Sequence, residues 1–219
     1  MKKIIIIDDH QLLREGINSW VSGNSDWQIL AKLGNLEEVK AFIESYKPSQ
    51  TDCVVAIVDL SFKVSGVNTE KLYGFEILKM FNNPDLNIKT LVYSSHESGG
   101  IIAHSLSKEI GAFGYVSKNS DCDTILCALE AIAKGEKFIQ PNLITSYINA
   151  QTKLNLLTNR EQEILNCVFA KYTNDEIAQN LKISKRSIEN YLSRIYDKTG
   201  TNNKQQLIEY IENIEDEEE

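Results

Sequence analysis

Two short apolar segments, each ending in carboxylates, constrain this chain more than any other feature. One is Met1–His10, MKKIIIIDDH, in which an isoleucine run leads to Asp8 and Asp9. The other is Cys53–Leu60, CVVAIVDL, in which the apolar run ends at Asp59. Unbroken β-branched runs are typical of strands buried on both faces of a parallel sheet. Because open α/β sheets place their sites at the carboxyl ends of strands, the three carboxylates are predicted to share one acidic pocket. Hard oxygen ligands of this kind favour a divalent cation, Mg²⁺ above all.

The rest of the first 135 residues repeats the order strand, then helix. Further strands are predicted at 27–33, 88–93 and 113–116, and helices at 12–21, 36–46, 74–81, 101–110 and 121–133. Five such units predict a doubly wound parallel sheet of five strands in an α/β domain. Successive strand ends then bring Asp8, Asp9, Asp59, Ser94 and Lys118 to one edge. Beside Mg²⁺, a carboxylate can attack phosphorus, and a hydroxyl and an ammonium can bind phosphoryl oxygens. Alone, a strand-end aspartate is often only a helix N-cap, and a lone serine or lysine at such a place indicates little.

Residues 1–135 resemble the receiver domain of two-component response regulators through the segments IIIIDDH, AIVDL, LVYSSH and GAFGYVSK, in that order. The resemblance implies a flavodoxin-like fold in which Asp59 accepts a phosphoryl group from a histidine of a sensor kinase. It also implies that Asp9 and Asp59 bind Mg²⁺ directly, with the backbone carbonyl of Ser61 as a further ligand and Asp8 acting through water.

The same resemblance assigns roles to side chains around the phosphoacceptor. Ser94 is expected to move toward the phosphoryl group, Lys118 to pair with it, and Tyr115 to turn inward together with Ser94. Ser61 and His96 match variable positions that tune the loss of the phosphoryl group in the family. The implied output face consists of the helix from Ile101, the strand at Tyr115 and the helix from Asp123.

The chain departs from the receiver pattern at two places. Lys63 stands where the family usually has proline, and about seven extra residues within KVSGVNTEKLY precede the matching Gly74. This insertion either alters kinase access or phosphate lifetime, or is a tolerated surface insertion. Gly99 and Gly100 weaken the predicted start of the fourth helix, which suits either a mobile switch face or a loop.

A second domain follows a linker predicted at 136–155. The segments TNRE, from Thr158, and TNDE, from Thr173, are capping boxes, and Ser184 is placed to cap a longer helix. The predicted order is a helix, a short helix, a three-residue turn and a longer helix, which is the layout of a helix-turn-helix. A small all-α unit of this kind, predicted here over 156–214, can bind either DNA or protein.

The segments LTNREQEIL, NDEIAQNL and SIENYLSRIYDK resemble the LuxR-type helix-turn-helix domain. Together with the receiver-like half, this is the arrangement of NarL/FixJ-type response regulators. The resemblance implies a recognition helix over Lys185–Thr199 in the major groove. The residues expected to face DNA are Lys185, Arg186, Glu189, Asn190, Ser193, Arg194 and Lys198. Asn190 is expected to pair with adenine, and the four basic residues are expected to contact phosphates. The alternative for these four residues is an ordinary solvated helix face.

The second predicted domain carries no net charge, which is unusual for a domain that binds DNA. Residues 154–214 hold eight basic and eight acidic side chains, and an acidic tail, EDEEE, follows at 215–219. Glu189 stands where the family often has a basic residue, so it either accepts a hydrogen bond from cytosine or repels phosphate. We therefore expect a monomer to bind double-stranded DNA weakly and with strong salt dependence. A homodimer would supply the missing affinity.

The sequence predicts a cytoplasmic protein with reduced cysteines and no membrane partner. No apolar run reaches the roughly 20 residues that span a bilayer, no signal peptide is evident, and the four cysteines are scattered. The resemblance to NarL/FixJ-type response regulators implies a regulator of transcription, not an enzyme with an external substrate. Phosphorylation of Asp59 would control its dimerisation and DNA binding.

Two alternatives remain open at this level. In the first, the receiver is a dimerisation platform that is never phosphorylated, a hypothesis that Lys63 and the insertion favour. In the second, the chain is a Mg²⁺ phosphatase or phosphotransferase. That reaction needs an acid two residues after the nucleophile, and Ser61 cannot serve as one.

Overall fold

The structure is a computed structural model that describes residues 1–49, 51–62 and 72–212. It divides into two compact units, Met1–His96 with Ser105–Gln140, and Glu97–His104 with Pro141–Glu219. The middle of the predicted insertion, 63–71, and the predicted acidic tail, 215–219, lie outside the described residues.

A parallel sheet forms the centre of the first unit. Its strands are β1 (Lys2–Ile7), β2 (Gln28–Leu33), β3 (Cys53–Val58), β4 (Ile88–Ser94), β5 (Gly114–Ser117) and β6 (Phe138–Ile139). They lie in the order β2-β1-β3-β4-β5-β6, and every neighbouring pair is parallel. This confirms the predicted doubly wound α/β architecture.

The predicted number of five strands is wrong, because β6 adds a sixth. Phe138 pairs with Gly114 and Ile139 with Tyr115. The amide of Phe138 donates to the carbonyl of Phe113 at 3.0 Å, and that of Gln140 to Tyr115 at 3.0 Å. A strand of two residues is too short to show an alternation of polar and apolar side chains. It lies within the segment predicted as linker.

Helices connect the strands of the first unit: α1 (Gln11–Asn24), α2 (Leu36–Ser45), α3 (Gly74–Phe81) and α5 (Cys122–Ala133). The helix α4 (Gly99–Ser105) lies between α3 and α5 in sequence, but its residues up to His104 belong to the second unit. The core of the first unit joins alternate residues of the strands to α1 and α5, as in Ile4, Ile57, Val21 and Leu129. Burial of each such side chain stabilises the fold by about 1.5–3 kcal/mol.

The second unit also contains α6 (Ile144–Leu154), α7 (Asn159–Phe169), α8 (Asn174–Leu181), α9 (Lys185–Thr199) and α10 (Lys204–Glu212). Both predicted capping boxes are present, with the hydroxyls of Thr158 and Thr173 accepting from the amides of Glu161 and Glu176. The predicted cap at Ser184 is also confirmed. The helix-turn-helix layout is therefore α8, a three-residue turn and α9. Within the described residues, every helix is too short or too polar to span a membrane.

Candidate functional site

The acidic pocket lies where β1 and β3 end side by side. Ile7 pairs with Val58, so the residues that follow them, Asp8 and Asp59, leave the sheet together. The amide of Asp59 donates to the carbonyl of Ile7 at 3.0 Å. Asp8 and Asp59 are only 2% and 1% exposed. The parallel register thus forces two carboxylates into one buried place, as the sequence predicted.

Lys118, which follows β5, supplies the positive charge in this pocket. Its Nζ lies 2.7 Å from Oδ2 of Asp8 and 3.0 Å from Oδ2 of Asp59. Burial raises the pKa of Asp59, and the charge of Lys118 only partly offsets that rise. Burial disfavours the charged form of Lys118, but its hydrogen bond to Asp8 and the charge of Asp59 outweigh this and raise its pKa. The ammonium is therefore held firmly charged against Asp59.

The donor set fits a divalent cation. One ligand atom from each of Asp8, Asp9, His10 and Asp59 lies within 4.8 Å of the others. Oδ1 of Asp9 is buried and makes no hydrogen bond to the described residues. Nδ1 of His10 lies 3.2 Å from this oxygen without forming a hydrogen bond, and a cation between the two would satisfy the buried carboxylate. His10 was not among the predicted ligands, although its position directly after two aspartates was the available signal.

Other predicted residues lie around Asp59. The amide of Ser61 donates to Oδ1 of Asp59 at 3.2 Å, and its hydroxyl lies 3.2 Å from Nε2 of His96. Ser94 ends β4 and is buried, and its hydroxyl accepts from the amide of His96 at 3.2 Å. Tyr115 is fully buried and donates its hydroxyl proton to the carbonyl of His96 at 2.6 Å. The backbone of His96 thus connects Ser94 with Tyr115.

Gly74, which the sequence matched to a family glycine despite the insertion, is required by a close approach of α3 to β3. Its amide donates to the carbonyl of Leu60 at 3.1 Å. A β-carbon there would overlap the main chain of Asp59 and Leu60. Gly74 therefore lies directly against the main chain of Asp59 and Leu60.

Arg14 is a site residue that sequence reasoning missed. Its guanidinium donates to the main-chain carbonyl of Asp8 and so holds the end of β1 against α1. Its place four residues after His10, on the first turn of a helix that starts at the pocket, was the only available signal.

The predicted DNA-facing residues share one side of α9. All seven are exposed, whereas Ile188, Leu192, Ile195 and Thr199 are buried on the opposite side. The guanidinium of Arg194 lies over the ring of Tyr191, 5.8 Å from its centroid. The amphipathic pattern of α9 is therefore as predicted.

Two of the four basic residues on this side are paired with acids of neighbouring helices. Nζ of Lys185 lies 3.0 Å from Oδ2 of Asp175, and Nζ of Lys198 lies 2.7 Å from Oε2 of Glu161. Arg186 and Arg194 make no ion pair to a described residue. Sequence reasoning missed both pairings, because the partners are 10 and 37 residues away in the chain.

Replacement of Glu161 by glutamine is expected to destabilise the second unit by about 1–3 kcal/mol, because a buried charge-assisted network loses its anion. Oε2 of Glu161 accepts from the amide and hydroxyl of Thr158 at 2.8 and 2.9 Å, as well as from Lys198. Burial opposes the charged form, but these donors lower the pKa of Glu161 below its ordinary 4.5. Its stabilisation is therefore complete above pH 4.5 and is lost as the pH falls through the lowered pKa.

Urea unfolding of the full chain, followed by hydrogen exchange in α7 and α9, measures this effect. Glu163, which is more exposed and pairs with Arg160 one turn away, provides the control. Its replacement by glutamine should cost no more than about 0.5 kcal/mol. Equal losses in the two variants would contradict the assignment.

Comparison with known proteins agrees with both halves of this description. The model of the response regulator receiver domain matches residues 4–130, and that of the bacterial regulatory proteins of the luxR family matches residues 155–211. The receiver match covers more than half of the chain. The chain therefore belongs to the response regulators that carry a LuxR-type domain, the NarL/FixJ arrangement.

Similar proteins match over nearly the whole length. The chain is 29% identical to the transcriptional regulatory protein DegU of Brevibacillus brevis, over 96% of this chain and 93% of DegU. It is also 29% identical to the oxygen regulatory protein NreC of Staphylococcus aureus strain MRSA252, over 95% of each. The structure of RcsB from Salmonella enterica serovar Typhimurium, bound to the promoter rprA with a phosphomimetic, gives a TM-score of 0.66. RcsB is 20% identical, and the match covers 97% of this chain and 99% of RcsB.

Proposed function

We propose that this chain regulates transcription in the cytoplasm under control of phosphorylation at Asp59, which a sensor histidine kinase carries out. The observation that carries the proposal is the position of Asp59. It is a buried carboxylate at a strand end, with a lysine ammonium at 3.0 Å and two further carboxylates beside it, in a chain that also carries a helix-turn-helix. DegU, by its name a transcriptional regulatory protein, supports the same function.

The phosphoryl transfer would be an in-line displacement. A carboxylate oxygen of Asp59 attacks phosphorus, the bond from phosphorus to the kinase histidine nitrogen breaks, and its electron pair stays on the imidazole. Mg²⁺ bound by Asp8, Asp9, Asp59 and the carbonyl of Ser61 would neutralise negative charge on the phosphoryl oxygens. Lys118 would exchange part of its contact with Asp59 for a phosphoryl oxygen. The group transferred ends on the protein itself, so the site would turn over no external substrate.

The position of His96 supports a route from the phosphoryl group to the rest of the receiver. A phosphoryl group on Asp59 would attract the hydroxyl of Ser94, which now accepts from the amide of His96. The carbonyl of the same residue accepts from Tyr115. Movement of Ser94 would therefore displace His96, the residue to which Tyr115 donates its hydrogen bond. Phosphorylation would shift populations only as far as it stabilises the active form more than the resting one.

The output would be binding to double-stranded DNA as a homodimer. RcsB, whose fold this chain shares, has been seen bound to a promoter with a phosphomimetic. On α9, Asn190 would read adenine, and Arg186 and Arg194 would contact phosphates, with Lys185, Ser193 and Lys198 beside them. Two of these basic residues are already paired with acids, so a monomer would release few counterions. A dimer would double the number of phosphate contacts.

Replacement of Glu189 by glutamine is expected to tighten binding to random-sequence duplex DNA by about three- to tenfold, because it removes an exposed anion from the DNA-facing side. Fluorescence anisotropy at several salt concentrations measures the effect. Glu209 on α10 is an exposed control that accepts from Gln205. Its replacement by glutamine should leave the affinity within about twofold. Weaker binding by Glu189→Gln would instead mean that the carboxylate accepts a hydrogen bond from a base.

Selection of binding sites from random duplex DNA, with and without beryllofluoride and Mg²⁺, tests the function as a whole. Beryllofluoride stands in for the phosphoryl group on Asp59. We expect an inverted repeat to be enriched only when beryllofluoride is present. Equal enrichment in both conditions would leave DNA binding intact but favour the receiver as an unphosphorylated dimerisation platform. No enriched motif in either condition would contradict the proposed function.

A further inference from the structure

The helix α1 begins at the acidic pocket with a residue that does not cap it. His10 occupies the N-cap position with extended backbone angles, but its ring makes no capping hydrogen bond to the described part of α1. Serine, threonine, aspartate and asparagine are strongly preferred at N-caps, because their short side chains accept from the amides of the first turn. The imidazole of His10 does not serve α1 in this way, so its ring is available to the pocket.

The ring of His10 lies against two carboxylates of the pocket. Nδ1 is 3.1 Å from Oδ1 of Asp8 and 3.2 Å from Oδ1 of Asp9. Both carboxylate side chains are largely buried, whereas the side chain of His10 is 58% exposed. Ligands held about 2.1 Å from one metal ion lie about 3.0–3.4 Å from their neighbours. The two distances from Nδ1 therefore match those between adjacent ligands of one ion.

A nitrogen between two carboxylate oxygens needs a positive species beside it, which is either a proton of the ring or a metal ion. The ring can donate a proton from Nδ1 to Oδ1 of Asp8. Oδ1 of Asp9 is buried and makes no hydrogen bond to a described residue, so this proton satisfies only one of the two carboxylates. With the ring proton on Nε2, the lone pair of Nδ1 and both oxygens can bind one cation.

Lys118 neutralises the other side of the pocket. Its Nζ contacts Oδ2 of Asp8 at 2.7 Å and Oδ2 of Asp59 at 3.0 Å, whereas the oxygens that face His10 are Oδ1 of Asp8 and of Asp9. Three ionised carboxylates and one ammonium leave two negative charges, which one divalent cation balances. One ligand atom from each of the three aspartates and from His10 lies within 4.8 Å of the others, so a single ion placed among them can bind all four.

An imidazole in this set changes which ion the pocket prefers. Mg²⁺ favours oxygen ligands and keeps much of its water, whereas imidazole nitrogen favours the divalent ions of the first transition row. Carboxylates bind both kinds of ion. A nitrogen ligand from His10 would thus strengthen the binding of a transition ion and add little to the binding of Mg²⁺.

We propose that His10 is a ligand of the cation in this pocket, and that through it the receiver binds a divalent first-row transition ion, such as Mn²⁺, in preference to Mg²⁺. The binding itself rests on the positions of Asp8, Asp9, His10 and Asp59. A role of the bound ion in phosphorylation of Asp59 rests on the proposed function.

Titration of the full-length protein with Mn²⁺, followed by electron paramagnetic resonance, tests this proposal. The signal of free Mn²⁺ gives its affinity, competition gives the affinity for Mg²⁺, and pulsed spectra of bound Mn²⁺ detect coupling to a ligand nitrogen. We expect nitrogen coupling in the wild type and none in His10→Ala. His10→Ala should bind Mn²⁺ about tenfold more weakly, while its affinity for Mg²⁺ should stay within about twofold of the wild type.

Gln11→Ala is the matched control, because Gln11 is the adjacent residue of α1 and is exposed. It should keep the nitrogen coupling and both affinities. Absence of coupling in the wild type would overturn the proposal, and so would coupling that persists in His10→Ala. An equal loss of affinity for both ions in His10→Ala would show that the ring arranges the carboxylates without binding the metal. Tighter binding of both ions would show that the ring takes the place of the ion, and either result would also overturn the proposal.

His10→Ser decides the matter if His10→Ala does not fold, since serine can cap α1 and supplies no nitrogen. It should lose the coupling and bind Mn²⁺ more weakly, as expected for His10→Ala. These measurements need neither a phosphodonor nor DNA. Failure to label Asp59 would therefore overturn the proposed function and leave the role of His10 to be decided by resonance alone. Absence of nitrogen coupling would overturn the role of His10 and leave Mg²⁺-dependent labelling of Asp59 intact.

Discussion

Asp59→Asn is expected to abolish labelling of the protein by a small phosphodonor such as acetyl phosphate in the presence of Mg²⁺. The amide has nearly the shape of the carboxylate but cannot form an acyl phosphate, so labelling should fall by at least about 100-fold. Mass spectrometry of the intact chain measures the gain of one phosphoryl group. A product that is labile to hydroxylamine identifies it as an acyl phosphate.

Asp85→Asn serves as the control for this experiment, because Asp85 is an exposed aspartate away from the pocket. It should be labelled as well as the wild type, and chelation of Mg²⁺ should suppress labelling in both. Persistent labelling of Asp59→Asn would place the acceptor elsewhere, for example at Asp8 or Asp9. No labelling of the wild type would favour the receiver as a dimerisation platform only.

Lys118→Met is expected to destabilise the protein by about 3 kcal/mol in the absence of divalent cations, because it leaves buried carboxylates without their positive partner. Methionine keeps much of the volume of the lysine stem, so the main change is electrostatic. Asp8 and Asp59 lie 2.7 and 3.0 Å from the ammonium that is lost. Urea unfolding with and without Mg²⁺ measures the effect, and Mg²⁺ should restore part of the lost stability.

Lys32→Met is the matched control, since Lys32 forms a comparably short but exposed pair with Glu15. Screening by water makes such a pair contribute far less to stability than the buried one, and Mg²⁺ should not change its contribution. A loss in Lys118→Met no greater than in Lys32→Met would contradict the account of the pocket. So would a loss that Mg²⁺ does not reduce.

The acidic pocket could be predicted because its signals are local. Each strand is a short apolar run, and each important residue directly follows one, so parallel topology alone brings Asp8, Asp59 and Lys118 together. The capping boxes at Thr158 and Thr173 were equally readable, since each occupies four consecutive residues. An apolar run locates a strand and a capping box locates the start of a helix, so elements with such local signals can be placed from the sequence.

The features that were missed depend on residues far apart in the chain. β6 has two residues, and its pairing with β5 cannot be read from so short a pattern. The pairing of Lys198 with Glu161 depends on how α9 packs on α7. The helix predicted over 101–110 is instead Gly99–Ser105, because the glycines that weaken an isolated turn are compatible with a helix that is packed closely by Ser146 and Phe169. Intrinsic propensity was overridden there by packing.

The most direct test of phosphorylation control is the affinity of the full-length protein for one selected duplex, measured with and without beryllofluoride at constant Mg²⁺ and salt. Asp59→Asn is measured in parallel. We predict that beryllofluoride tightens binding by the wild type at least about tenfold and leaves Asp59→Asn unchanged. Equal affinities of the wild type in both conditions would contradict control through Asp59, and so would an equal gain in the variant.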